Sequence, residues 1–157
     1  MAELPKTDIE MHKRFMREAI KASRASNCIR PDRIVGTVAV YGGKVLIATN
    51  NGTCPRVAPC SERGGRCIRH KLGVAVGTQP GLSWCLCGEQ RLVAIAARNG
   101  ISIKDSIIYC THRPCIVCTK LLAECGVKEI FYETEYPDEM AKQYAEEIGL
   151  AVTLLRP

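Results

Sequence analysis

The chain lacks an apolar run approaching the ~18 residues that a membrane-spanning helix needs. Its first residues, Met1 to Ile9, are polar, carry both charge signs and have none of the apolar core of a secretory signal. It has no block of about five or six like charges, no internal repeat and no low-complexity tract. These absences count against a membrane protein, a secreted protein and a polyanion-binding tail. They point to a cytoplasmic, globular chain. Its 157 residues are close to the commonest domain size, and 1–157 is read as a single domain.

What the chain has in excess is cysteine, ten in all. With no secretory signal, and with Cys-x-x-Cys at 115–118, the sulfurs are read as metal ligands rather than disulfides. One sulfur cannot serve both purposes. The formal charge of +6 invites a nucleic-acid reading. Seven thiolates and two zinc ions would reduce it to about +3. A charge that small suits a phosphorylated metabolite as well as a polynucleotide.

Periodicity predicts a first helix from Thr7 or Asp8 to about Ser23. A hairpin follows, with strands Ile34–Tyr41 and Lys44–Thr49 joined by Gly42-Gly43. Residues 50–86 are rich in Gly, Pro, Arg and Cys and show little period. A free loop of that length does not suit a compact domain, so this insert is expected to be ordered by metal, with one short ordered piece at Lys71–Val76. Beyond it come helix 89–98, strand 106–110, helix 114–125, strand 127–132, helix 138–148 and strand 151–155. That alternation implies a largely parallel sheet with helices on its faces.

Two of those helix starts carry chemistry. Cys87-Gly88-Glu89 opens one, and Pro114-Cys115-Ile116-Val117-Cys118 opens another. Cys115 and Cys118 share a helix face, and a helix N-terminus favours thiolates. Helix starts on a parallel sheet meet at one edge. Cys87, Cys115 and Cys118 therefore supply three zinc ligands. The fourth position stays open to water, and Glu89 is a spare carboxylate able to move a proton. This is the layout of zinc deaminases, in which hydroxide attacks a carbon bearing an amino group. The competing reading is a structural zinc ribbon with Cys85 as fourth ligand. Three thiolates leave zinc formally at −1, which raises the pKa of bound water. Arg91, in the same helical turn as Glu89, is the first candidate to offset that charge, and Arg113, beside Pro114, is the second; a solvated face or a phosphate contact is the alternative for each.

The sequence resembles the deoxycytidylate (dCMP) deaminase family of the cytidine deaminase-like superfamily from about Phe15 to Leu154. The resemblance is carried by V-G-T-V-A-V at 35–40, N-G at 51–52, G-E-Q at 88–90 and A-A-R-N-G-I-S-I at 96–103. It continues in Y-C-T-H-R-P-C-I-V-C at 109–118 and Y-P-D-E at 136–139. It implies a three-layer α/β/α sandwich on a five-stranded mixed sheet, a homo-oligomer, nucleotide effectors in some members, and hydrolysis of dCMP to dUMP and ammonia. It also implies a second, structural zinc, here at Cys28, Cys60, Cys67 and Cys85, with Cys54 and His70 as substitutes. Asn51 matches a sugar-contacting loop. Tyr132 is expected to pack either on the base or in the core, Arg113 to contact substrate, and Arg30 or Arg33 either to reach a phosphate or to lie in solvent. Tyr136-Pro137-Asp138 follows the same strand and faces the site. Cys110 and Cys125 are read as buried apolar residues, and His112 as a pocket residue or an ordinary loop histidine. The chain departs from the family's usual His-Ala-Glu at Cys87-Gly88-Glu89, and carries Arg91 where the family usually has Asn. Those departures leave open deamination of another nucleoside, nucleotide or free base. They also leave open a catalytically silent zinc protein that binds nucleotide or nucleic acid.

Overall fold

The computed structural model describes residues 6–79 and 81–157. Most of Met1–Ile9 lies outside them. Helix α1 (Lys6–Ser23) leads through a 3-10 turn to β1 (Gly36–Tyr41) and β2 (Lys44–Asn50). The insert contributes β3 (Gly52–Thr53), α2 (Ile68–Lys71) and β4 (Cys85–Leu86). The alternation then gives α3 (Gly88–Asn99), β5 (Ile107–His112), α4 (Ile116–Glu124), β6 (Glu129–Thr134), α5 (Glu139–Glu147) and β7 (Ala151–Leu154).

The sheet order is β2-β1-β5-β6-β7. β1 is antiparallel to both β2 and β5, whereas β5, β6 and β7 run parallel. The sheet is therefore mixed, and β2, β5, β6 and β7 all end at one edge. Strand alternation sorts the core into two faces. Val38, Val40, Tyr109 and Phe131 pack with Phe15, Met16 and Ala19 of α1. Ala39, Ile108, Cys110 and Ile130 pack with Leu92 and Ala96 of α3 and Leu122 of α4. Each wholly buried Leu, Ile or Phe contributes about 1.5–3 kcal/mol from transfer out of water. The two clusters are what seat the helix starts against the strand ends.

Several boundaries differ from those the sequence suggests. Helix α4 begins at Ile116, with Cys115 as its N-cap residue, so Pro114 lies outside the helix. The ordered piece of the insert is Ile68–Lys71, directly after Cys67, rather than Lys71–Val76. The ladder Gly52↔Leu86 and Thr53↔Cys85 joins the two ends of the insert. Arg69 then organises its middle. The Arg69 guanidinium donates to the backbone carbonyls of Gln79 (2.5 Å), Ala75 (2.9 Å) and Thr78 (2.6 Å). No helix among the described residues is long and apolar enough to cross a membrane.

Candidate active site

Cys87 is the N-cap residue of α3, and its backbone N–H donates to Gln90 Oε1 at 2.9 Å. Gln90 reaches back one turn and fixes the backbone of the ligand candidate. The second arm comes from the turn between β5 and α4. Here Cys115 caps α4 and Cys118 lies on the buried face of its first turn. The sulfurs of Cys87, Cys115 and Cys118 all lie within 4.8 Å of one another. Among the described residues they are the only group of three or more donor atoms that close. A tetrahedral zinc with Zn–S of about 2.3 Å fits such a set, and sulfur is a donor it accepts.

Their electrostatics follow from crowding. The Cys115 thiol is held down to about 3 by hydrogen bonds from Cys118 and Cys87 and by backbone N–H groups of Cys118 and Val117. Cys87 is pushed well up chiefly because its proton is shared with Cys115, and Cys118 is pushed up for the same reason. Without a cation the cluster favours one thiolate and two thiols. A divalent ion would draw off the remaining protons. Glu89 is buried at 3% exposure. Burial pushes its carboxyl up to about 7, although hydrogen bonds involving Cys110 and Cys118 favour the charged form. A carboxyl so placed exchanges a proton near neutral pH.

These groups line one cavity. Its other walls come from the segment after α1 (Cys28, Arg30, Arg33 and Val35), from Asn51 after β2, from His112 at the end of β5 and Arg113 just beyond it, and from Tyr136 after β6. The insert supplies Cys60, Cys67, Arg69 and Cys85. Asn51 is locked in place. Its Oδ1 accepts from Ser26 Oγ (2.7 Å) and the Val35 N–H (2.9 Å), and its Nδ2 donates to the Arg33 carbonyl (2.7 Å). Arg113 is 7% exposed, and its Nη1 has no hydrogen-bond partner. The nearest carboxylate oxygen paired with it, Glu135 Oε2, is 3.8 Å away. Arg30 and Arg33 share the carboxylate of Asp32. The His112 ring has its pKa lowered by burial.

Two of the expected site residues lie off the cavity wall. Arg91 was expected to offset the charge of the sulfurs. Its Nη1 instead donates to the backbone O (3.0 Å) and Oδ1 (2.9 Å) of Asn50, and it does not line the cavity. The end of β2 offers two oxygens, and the guanidinium takes both. Of the two places open to Tyr132, base or core, the structure puts it in the core at 6% exposure. It lies opposite Cys110 in the parallel ladder and beneath the Arg113 guanidinium, its hydroxyl bonded to Glu135. The aromatic ring on the cavity wall is Tyr136, with the Arg33 guanidinium 5.3 Å from its centroid. The second set of sulfurs does not close as the first does. Cys28 and Cys85 hydrogen-bond to each other, and Cys60 and Cys67 are close enough to raise Cys85 further. Cys54 is exposed. Cys110 is fully buried, as its pattern suggested, but it also hydrogen-bonds with Glu89, a role that apolar periodicity does not signal.

The family model described as the cytidine and deoxycytidylate deaminase zinc-binding region matches residues 9–134. The chain belongs to this family. The deoxycytidylate deaminase of Mycobacterium phage D29 is 30% identical over 128 residues, covering 77% of this chain and 92% of the relative. That of Schizosaccharomyces pombe is 33% identical over 122 residues, which are 78% of this chain and 36% of the relative. The chain thus spans about a third of the fission-yeast protein. The dCMP deaminase of cyanophage S-TIM5, solved in complex with dCMP and dUMP, superposes with a TM-score of 0.73 at 28% identity. The superposition covers 97% of this chain and all of that family member.

Proposed function

We propose that the protein is a zinc-dependent hydrolase that deaminates a cytosine nucleotide, dCMP to dUMP and ammonia. The reading rests above all on one observation: three sulfurs within 4.8 Å, from two helix starts, beside a buried carboxyl. The phage relatives add the substrate, since the S-TIM5 enzyme was solved with dCMP and dUMP.

When bound, zinc supplies Lewis acidity toward a water molecule at its open position. Glu89 does the proton work. It accepts a proton from water as the oxygen adds to C4 of the cytosine ring, and passes it to ring N3. It then takes the second proton and delivers it to the departing amino group, which leaves as ammonia. Burial of Glu89 suits both halves of this exchange. Asn51 offers a rigid amide toward the sugar. Arg113 and Arg30 offer guanidinium N–H donors with no partner, and an anionic substrate would satisfy them. Tyr136 takes the aromatic role first given to Tyr132. The offset to the extra negative charge of a third thiolate falls to the cavity-lining arginines rather than to Arg91. Cys28, Cys60, Cys67 and Cys85 hold a second zinc, a reading supported by their shared cavity wall and the Cys28–Cys85 hydrogen bond. A homo-oligomer and a nucleotide effector belong to the same proposal.

The test is ammonia release from a panel of dCMP, CMP, deoxycytidine and purine nucleotides, with zinc content measured in parallel. dCMP is expected to turn over, and Glu89→Gln to lower kcat by about 10²–10⁴ with zinc retained. Turnover of another panel member alone would reassign the substrate. No turnover at all would overturn the enzymatic reading in favour of a silent zinc protein. One zinc per chain instead of two would remove the second site.

A further inference from the structure

Asp138 is a buried carboxylate, 6% exposed, in the loop between β6 and α5. Its two oxygens serve two different helices. Oδ1 accepts from the Ala141 N–H at 3.1 Å and caps α5. Oδ2 accepts from the Ile116 N–H at 2.9 Å, in the first turn of α4. Ile116 directly follows Cys115, and α4 carries Cys118 two residues further on. The donors at this helix start are therefore divided. Asp138 takes the first N–H, and the Cys115 sulfur receives those of Val117 and Cys118. The same loop is pressed against the insert, because a Cβ at Gly77 would fall 1.9 Å from the Pro137 carbonyl oxygen.

We infer that Asp138 is a positioning residue for the metal centre, holding the Cys115–Cys118 arm at the angle at which its sulfurs meet Cys87. It acts through the backbone of α4 and touches neither sulfur nor substrate. A capping carboxylate needs one oxygen, and the second is committed to the helix that bears two of the three sulfurs. The inference rests on the reading of these cysteines as metal ligands and is independent of the substrate.

Two substitutions separate this role from simple capping. Asp138→Ser keeps a good N-cap for α5 but is too short to reach across to Ile116. Asp138→Asn keeps one carbonyl oxygen for two donors and turns its own NH₂ toward the other. Titration of the metal-free chain with cobalt reads out thiolate-to-metal charge transfer. Cys118→Ser identifies the part of that signal that belongs to this centre. Asp138→Ser is expected to weaken metal binding about tenfold or more and to shift the cobalt ligand-field bands, while the helix content of the metal-free chain stays near the parent's. Asp138→Asn is expected to fall between Ser and the parent. Parent-like affinity and bands in Asp138→Ser would overturn the inference. If neither variant folds, the amide proton of Ile116 in the zinc-loaded parent decides. Slow exchange with a downfield shift supports it, and rapid exchange overturns it. A chain that turns over no nucleotide yet shows the Asp138 dependence loses the proposed function and keeps this inference.

Discussion

A methyl group can be refused at Gly88 for reasons that no local pattern reveals. A Cβ there would lie 2.5 Å from Thr37 Oγ1 and 3.2 Å from Thr37 Cβ. Thr37 is fully buried in β1 and cannot retreat. Replacing glycine with alanine in a helix normally stabilises by about 0.5–1 kcal/mol, but overpacking a core costs about 1–3 kcal/mol. The contact is well inside van der Waals distance, so overpacking wins. Gly88→Ala is expected to lower the urea midpoint, and most of that loss should vanish in a Thr37→Ala background, where Oγ1 is gone. Equal losses in both backgrounds would show that Thr37 is not the cause. The family's usual alanine at this position is thus disfavoured here by one threonine in another element. Cys87, Glu89, Cys115 and Cys118 were legible in the sequence because each arm is a short local motif at a helix start. Arg91 was not, because its partner Asn50 lies 41 residues away. Tyr132 and Tyr136 could be told apart only once the strand end at Thr134 was known.

At the level of elements, the helices and strands after the insert were readable because each buries residues at its own period. Leu92 and Ala96 are four apart in α3, as are Cys118 and Leu122 in α4 and Ala141 and Ala145 in α5. The insert has no such period, and its order comes from contacts that composition hides. The two-residue ladder of β3 and β4 is too short to leave a pattern. Arg69 replaces a core by gathering three carbonyls from 75–79 onto one planar fork. Lysine has the charge without the fork. Both Arg69→Ala and Arg69→Lys are therefore expected to speed amide exchange across 67–79 by an order of magnitude or more, each lost charge-assisted bond being worth about 1.5–3 kcal/mol. Exchange in β1, β5 and β6 should stay unchanged. If Arg69→Lys protects the segment as well as arginine does, charge alone is sufficient and the fork is not the cause. Because Arg69 also lines the cavity, the same variants link insert order to the site.

Across the whole molecule, α1 is tied to the sheet by a polar contact inside an apolar layer. His12 is 5% exposed, its Nδ1 lies 2.7 Å from the Tyr109 hydroxyl, and its ring centroid is 4.3 Å from that of Phe131. The two residues are 97 apart in sequence. The helix face was legible from Phe15 and Ala19. The histidine on that face was not, because its partner belongs to a distant strand. Burial lowers the His12 pKa below its usual 6.5, against smaller opposing effects of Glu129 and Asp8. The unfolded chain therefore takes up a proton near pH 6.5 that the folded chain still refuses. The stability associated with His12 is complete above that pH. It is lost as pH falls from about 6.5 toward the lowered folded value, and changes no further below it. His12→Gln keeps a polar partner for Tyr109 and cannot charge. Its urea midpoint is expected to fall less steeply than the parent's just below pH 6.5, with the two profiles running parallel above it. The comparison is made at saturating zinc, so that proton competition at the sulfurs is common to both. Profiles that stay parallel throughout would mean that the folded protein accommodates a charged His12, and that the contact with Tyr109 is not what fixes α1 on the sheet.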